Sequence, residues 1–341
     1  MMATTAKKLS DIPLSVLDLV PILAGKTVAD SFKNTLDLAQ NAERLGLKRY
    51  WMAEHHNMAG IASSATAVLI GYVAGGTKKI RVGSGGIMLP NHAPLVVAEQ
   101  FGTLESLYPE RIDLGLGRAP GTDQVTSMAL RRDLHGSVEE FPQNVQEIQH
   151  YFAPADPTAR VRAVPGEGLQ VPMWLLGSST YGAQLAAILG FPYAFASHFA
   201  PASLLMALKV YRDTFKPSEK QKAPYAMACV NVIAADTDEE ANRLATTMYA
   251  SFLNVVRGTA RQMQPPVATL DDLEWDGSEK YAVHQMLRYS FIGSPETVKK
   301  GLQAFLDETQ VDELMVTSTI YDHAARVHSY EIISEMFKKV E

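Results

Sequence analysis

Eight short apolar runs alternate with helix-patterned stretches along the chain, and this alternation limits the possible folds more than any other feature. The runs are Leu14–Leu19, Lys48–Met52, Lys79–Gly83, Arg111–Leu116, Pro172–Leu176, Tyr193–Ser197, Ala226–Ala235 and Glu313–Thr317. Their length and residue types predict buried strands. The stretches between them carry apolar residues at helical spacing. In Thr27–Leu45, for example, Phe32, Leu36, Ala39, Ala42 and Leu45 share one face, and Gly46 stops the helix. Strands joined through helices run parallel. Eight such units in 341 residues predict one (β/α)8 TIM barrel over residues 1–341, with insertions in the βα loops. An open doubly wound sheet is the rival. It would show a glycine-rich fingerprint after the first strand, and none follows Leu19.

Two stretches break the rhythm. Residues 121–170 hold helix-like pieces, Thr126–Leu134 and Val138–Tyr151, then a Pro- and Arg-bearing loop. They read as an elaborated βα connection over the rim. Residues 257–280, with several Gly, Pro and Asp, read as a loop or mobile lid, and Ser294–Pro295–Glu296 as a helix start. Ala62–Ala74 is small or apolar on nearly every side, so it needs a second cover besides the barrel, such as another subunit. The net charge of -6 argues against nucleic acid or an anionic membrane as partner. The one cysteine, Cys229, allows no internal disulfide and sits in an apolar run as a core residue. With no apolar h-region in Met1–Ser10 and no run of eighteen apolar residues, a cytoplasmic protein is expected.

In a parallel barrel the strand ends gather at one face, so residues just past each strand are the site candidates. The second strand empties into Glu54, His55 and His56. Neighbouring residues leaving a strand diverge and the helical HExxH spacing is absent, so no metal site is expected. The alternatives are a hydrogen-bonded rim, or an imidazole acting as base or donor toward a ligand. Gly83–Ser84–Gly85–Gly86 is either a bulge or a surface against which a flat ligand lies. Gly177–Ser178–Ser179–Thr180–Tyr181–Gly182 joins a strand end to a helix start. It is a simple N-cap or a phosphate cradle, with Arg118 at the neighbouring strand end as countercharge. His198 and Tyr321 fall at the ends of strands six and eight, and Asp113 lies mid-strand where it can partner Arg or Ser inside the barrel. Trp51 and Trp174 read as core. Together these residues suggest a planar, phosphate-bearing cofactor without saying which.

The chain resembles the bacterial luciferase-like flavin-dependent monooxygenases, in their single-chain branch. The matching pieces are Tyr50–Trp51–Met52–Ala53–Glu54–His55–His56–Asn57, Val82–Gly83–Ser84–Gly85–Gly86–Ile87–Met88–Leu89–Pro90, Ala98–Glu99–Gln100, Arg111–Ile112–Asp113–Leu114–Gly115–Leu116–Gly117–Arg118, Leu176–Gly177–Ser178–Ser179 and Gly293–Ser294–Pro295–Glu296–Thr297–Val298. They span nearly the whole chain. The resemblance implies a barrel that binds reduced FMN (FMNH2) and uses O2, through a C4a-(hydro)peroxyflavin, on a small organic substrate. By position, Ser84 and Gly85–Gly86 match the segment beneath the flavin ring, where the family often has a cis peptide. Arg118, Gly177, Ser178, Ser179 and the Tyr181 backbone match the phosphate site. His55 matches the catalytic base, with His56 and Glu54 beside it. The resemblance further implies an NAD(P)H:flavin reductase as transient supplier, and a homodimer through the helices after strands two and three. Luciferase has a reactive cysteine where this chain has Gly117, so that thiol's role is missing here. The rival functions are F420-dependent hydride transfer on the same barrel, flavin binding without turnover, and metal-dependent hydrolysis.

Overall fold

A computed structural model of the chain describes residues 7–130 and 139–339. Its strands are β1 (Leu14–Asp18), β2 (Arg49–Met52), β3 (Arg81–Ser84), β4 (Ile87–Met88), β5 (Ile112–Gly117), β6 (Met173–Gly177), β7 (Tyr193–Phe195), β8 (Ala226–Ala234), β9 (Ser290–Gly293) and β10 (Glu313–Thr317). Eight of them pair in parallel in the order β1-β2-β3-β5-β6-β7-β8-β10, and β10 returns to β1, Leu314 opposite Leu14. The sheet is therefore closed and a doubly wound sheet is excluded. The two strands absent from the sequence reading lie off this ring. β4 is two residues long and pairs with the end of β5, Ile87 opposite Leu116. β9 adds to β8 from outside, Ser290 opposite Asn231. β4 is too short to leave a periodic signal, and β9 is only half-buried at Ser290, Phe291 and Ile292.

The helices are α1 (Val28–Arg44), α2 (Thr66–Gly76), α3 (Pro94–Leu107), α4 (Gln124–Leu130), α5 (Phe141–Tyr151), α6 (Thr180–Leu189), α7 (Leu204–Thr214), α8 (Asp238–Val256), α9 (Gly277–Met286), α10 (Pro295–Thr309) and α11 (His323–Glu335). Thr27 starts α1 through a reciprocal capping box with Asp30. Ser294 sits at the N-cap position of α10, but its side chain makes no capping bond. The carboxylate of Asp238 accepts the Ser294 N–H at 2.6 Å instead. No helix among the described residues is long and apolar enough to cross a membrane.

Strand alternation sorts the core into two sides. Val16, Tyr50, Met52, Val82, Leu114, Leu175, Val230 and Val316 point outward into the main core beneath the helices. Leu17, Trp51, Trp174, Met227, Cys229 and Met315 point inward and fill the middle of the barrel. The Trp51 and Trp174 rings meet edge to face there, 5.2 Å apart, as core residues. Burial pushes the Cys229 thiol well up, which keeps it protonated and inert. Beneath this layer, at the N-terminal ends of the strands, lies a charged floor. One Asp113 oxygen accepts from Arg49 Nη1 (2.7 Å) and Trp51 Nε1 (3.1 Å), and the other from Arg81 Nη2 (2.7 Å). Arg49 also donates to Glu313 at 2.9 Å. Asp113 is thus the structural partner of arginines, fully buried and fully paired.

Of the connection at 121–170, residues 131–134 and 138 of the expected helices lie outside the described residues. α5 is the crossover helix of the β5–β6 unit, with Phe141, Val145 and Ile148 in the main core. The segment 257–280 is tied at its first half to the loop after β1. Met263 N–H donates to Ile22 O (2.9 Å), and Met263 O accepts from Ala24 N–H (2.8 Å). Its end, from Gly277, is already the first turn of α9.

Candidate active site at the barrel mouth

The alternation of β2 continues past its last hydrogen-bonded residue. Arg49, Trp51 and Ala53 face the lumen, and the next inward position is His55. Glu54 turns the other way and becomes a hub. Its Oε1 accepts from His56 Nε2 and from His92 Nε2, each at 2.8 Å, and its Oε2 accepts the Met88 N–H at 3.0 Å. Burial alone would raise the Glu54 pKa, but the two imidazoles and the backbone donor hold it down at about 2. Glu54, His56 and His92 bring three potential ligand atoms within 4.8 Å of one another. In this arrangement those atoms are spent on each other, as a carboxylate between two imidazole donors.

His55 is not part of that group. Its Nδ1 is buried and has no partner in the protein. Burial lowers its pKa, with the nearby Glu54 charge opposing and His56 adding to the shift. The imidazole is therefore neutral at pH 7 and able to accept a proton. His56 is held at the rim, its carbonyl taking the Thr122 hydroxyl at 3.0 Å.

Next to β2, the end of β3 presents bare backbone. The Gly85–Gly86 peptide is cis. Ser84 Oγ donates to Gly115 O (2.8 Å) and accepts the Gly115 N–H (3.0 Å), which seats this segment on β5. A Cβ on Gly86 would lie 2.7 Å from Gly115 O and 3.0 Å from its carbonyl carbon, both backbone atoms, so no larger residue fits.

At the end of β6, Ser179 takes the N-cap position of α6 in an extended conformation, yet its side chain makes no capping bond. The first-turn N–H groups of α6 are left to an outside acceptor. Ser178 is exposed beside them, at the end of Gly177. Arg118, at the end of β5, lies with its guanidinium 4.0 Å over the Tyr181 ring of α6 and forms no ion pair among the described residues. The strand ends thus bring Arg118, Ser178, Ser179 and Tyr181 together on one side of the mouth. Tyr321 is drawn away from the lumen, its hydroxyl donating to Ala24 O at 2.6 Å.

On the opposite wall stands His198, after β7. β2 and β7 are four strands apart in a ring of eight, so His55 and His198 face each other across the lumen. Burial, with the neighbouring His55 imidazole as a smaller cause, lowers the His198 pKa to about 3. Asn231, inward on β8 above Cys229, donates from Nδ2 to His198 O (2.6 Å) and Ser290 Oγ (3.2 Å). Sequence reasoning missed His92 and Asn231. The first follows a strand too short to see. The second had a readable signal, a lone amide inside the apolar run of β8.

The sequence profile of the luciferase-like monooxygenases matches residues 13–313. The chain belongs to the luciferase-like monooxygenase family. An Escherichia coli K12 protein named luciferase-like monooxygenase is 54% identical over 325 residues, 95% of this chain and 97% of that protein. The N-acetyl-S-alkylcysteine monooxygenase of Bacillus subtilis is 32% identical over 95% of this chain and 98% of its own length. The crystal structure of apo-MsnO8 superposes with a TM-score of 0.89 at 35% identity, covering 96% of this chain and 98% of that one. Below 25% identity the fold alone is shared. It is found both in the oxygenating constituent of 3,6-diketocamphane monooxygenase in complex with FMN (18%, TM-score 0.69) and in an F420-dependent secondary alcohol dehydrogenase (13%, TM-score 0.71), each covering 96% of this chain. As a luciferase-like monooxygenase the chain is an oxygenase by family.

Proposed function

We propose that this protein is an FMN-dependent monooxygenase that receives reduced FMN from a separate NAD(P)H:flavin reductase and uses O2 on a small organic substrate. The observation that carries the reading is Arg118. Among the described residues it has no carboxylate partner, and it stands beside the uncapped first turn of α6, so a cation and free N–H groups come together where a phosphate fits. In this reading Arg118, Ser178, Ser179 and the Tyr181 backbone hold the phosphate. Gly177, Ser84, Gly85 and Gly86 supply the bare backbone on which the ring lies. Reduced FMN, when bound, supplies the electrons that activate O2. His55, neutral and facing the lumen, holds or takes the proton of the reacting group. Glu54 and His56 act through position, by fixing the rim from which His55 projects. The loops at 121–130 and 257–276 cover the mouth and keep water out. The exposed Val68 and Tyr72 of α2 and Val96 of α3 form the contact of a homodimer.

The test starts from photoreduced FMN mixed with protein and then with oxygenated buffer, following return of the oxidised-flavin band. The wild-type protein slows this return relative to free flavin, His55→Ala relieves the slowing, and Arg118→Ala weakens FMN at least about tenfold while leaving riboflavin unchanged. Return at the free-flavin rate, together with tight F420 binding, overturns the oxygenase reading in favour of hydride transfer.

A further inference from the structure

Three buried polar atoms at the mouth have no partner in the protein: His55 Nδ1, His198 Nδ1 and Asn231 Oδ1. They come from opposite walls of the ring, β2 on one side and β7 with β8 on the other; His55 is close enough to His198 to lower its pKa, and Asn231 is bonded to the His198 carbonyl at 2.6 Å. Buried polar atoms are almost always satisfied, so a cluster of three on one space marks a missing ligand. We propose that His198 and Asn231, with His55 facing them, form a hydrogen-bonding subsite for an uncharged amide- or imide-type edge, an N–H beside a C=O.

The amide orientation of Asn231 fixes the polarity. Its Nδ2 donates to His198 O and to Ser290 Oγ. Turning the amide over would set its oxygen against the His198 carbonyl, which has no proton to give, so Nδ2 stays on that carbonyl and the unpartnered Oδ1 can only accept. The ligand must therefore bring a donor to it. The neighbouring His198 Nδ1 takes whichever tautomer the ligand requires, and as Nδ1–H it meets an adjoining carbonyl. A carboxylate brings no donor for Asn231 and meets no charged imidazole, because burial keeps His55 and His198 neutral at pH 7, while Arg118 stands at the phosphate side. Among the described residues an ammonium finds no free anion at this subsite. Both Glu54 oxygens are occupied, and Asp113 is paired in the floor. Hence the preference is for a neutral group with both polarities.

This proposal rests on the mouth being the ligand site of the reading above. Two sources carry the chemistry: the pyrimidine edge of an isoalloxazine ring, whose N–H lies between two carbonyls, or an amide-bearing substrate. Affinities of FMN and N3-methyl-FMN are measured by fluorescence quenching for the wild type, His198→Phe and His198→Gln. The histidine side-chain 15N signals are followed as N-methylacetamide or acetate is added. If the flavin edge is the occupant, N3-methylation and His198→Phe each weaken binding about tenfold or more, while His198→Gln stays within about threefold. If the substrate is the occupant, FMN affinity is unchanged throughout. N-methylacetamide, but not acetate, then shifts the His198 signals of the FMN-saturated protein. Unchanged FMN affinity with no response to the amide, or acetate acting as strongly as the amide, overturns the proposal. Should FMN not bind the wild type at all, the cofactor reading fails by itself, and the same amide titration of the ligand-free protein decides the subsite. The N-methylated flavin and the titration need no variant, so a misfolded His198→Phe leaves the outcome decidable.

Discussion

Glu54→Gln tests whether the rim beneath His55 is built around one charge. The wild-type carboxylate accepts from two imidazoles at 2.8 Å and from the Met88 N–H at 3.0 Å. Its pKa sits at about 2, against an ordinary 4.5, which corresponds to about 3 kcal/mol of stability at neutral pH. The glutamine offers one acceptor oxygen. With that oxygen toward the imidazoles, its NH2 opposes the Met88 N–H, so the loss is not recovered. In a chain of this size about 3 kcal/mol lowers the melting temperature by about 4 °C. The pH dependence identifies the cause. A depressed carboxyl pKa contributes stability that is fully present above the unfolded value. The contribution declines only as pH falls from 4.5 toward about 2. Denaturant unfolding of the wild type and variant should therefore show a constant gap from about pH 8 to 5, closing below about 4.5. Equal stability at pH 7 would refute the hub. A gap that already closes between pH 7 and 5 would also refute it, since that window belongs to imidazole titration.

Three further perturbations probe the rest of the frame. Asp113→Asn leaves Arg49 and Arg81 without their shared carboxylate in the barrel floor, and denaturant unfolding should show a loss of about 3–5 kcal/mol; a loss below about 1 kcal/mol would mean the floor is hydrated and the pairing slack. Gly86→Ala puts a methyl 2.7 Å from the Gly115 carbonyl oxygen, so FMN and riboflavin affinities should fall together, unlike the FMN-only loss of Arg118→Ala, and unchanged riboflavin binding would remove this segment from the ring site. Val68 is 71% exposed on α2, and Val68→Asp should convert a dimer into a monomer by light scattering; a monomeric wild type would remove the proposed interface.

The eight ring strands were legible because nearly all of their residues are buried on both faces, so each reads as a short, mainly apolar run. β4 was not, because two residues carry no pattern, and β9 was not, because on the outer edge Ser290, Phe291 and Ile292 are only half-buried. The α10 start shows the same limit in another form. Ser294 occupies the cap position that its sequence suggests, but the cap bond is replaced by Asp238, 56 residues away, which no local motif encodes. Asp113 was legible as a charge inside a strand, because such a group has to be paired.

The active-site residues divide along a similar line, and the division has a geometric cause. Period two runs on past the last ladder bond of β2, so Arg49, Trp51, Ala53 and His55 share the lumen face, while Glu54 and His56 share the other. That alternation separates the two adjacent imidazoles into a free one over the lumen and a bound one in the rim. The same count along β8 places Met227, Cys229 and Asn231 inward, with the amide on the level nearest the mouth. What the count does not give is the partner from another loop. His92 reaches Glu54 across 38 positions of sequence, through a turn whose course is set by the two-residue β4. Residues that face a lumen follow from strand arithmetic, and residues that meet over a rim depend on loops, which is where members of one barrel family diverge.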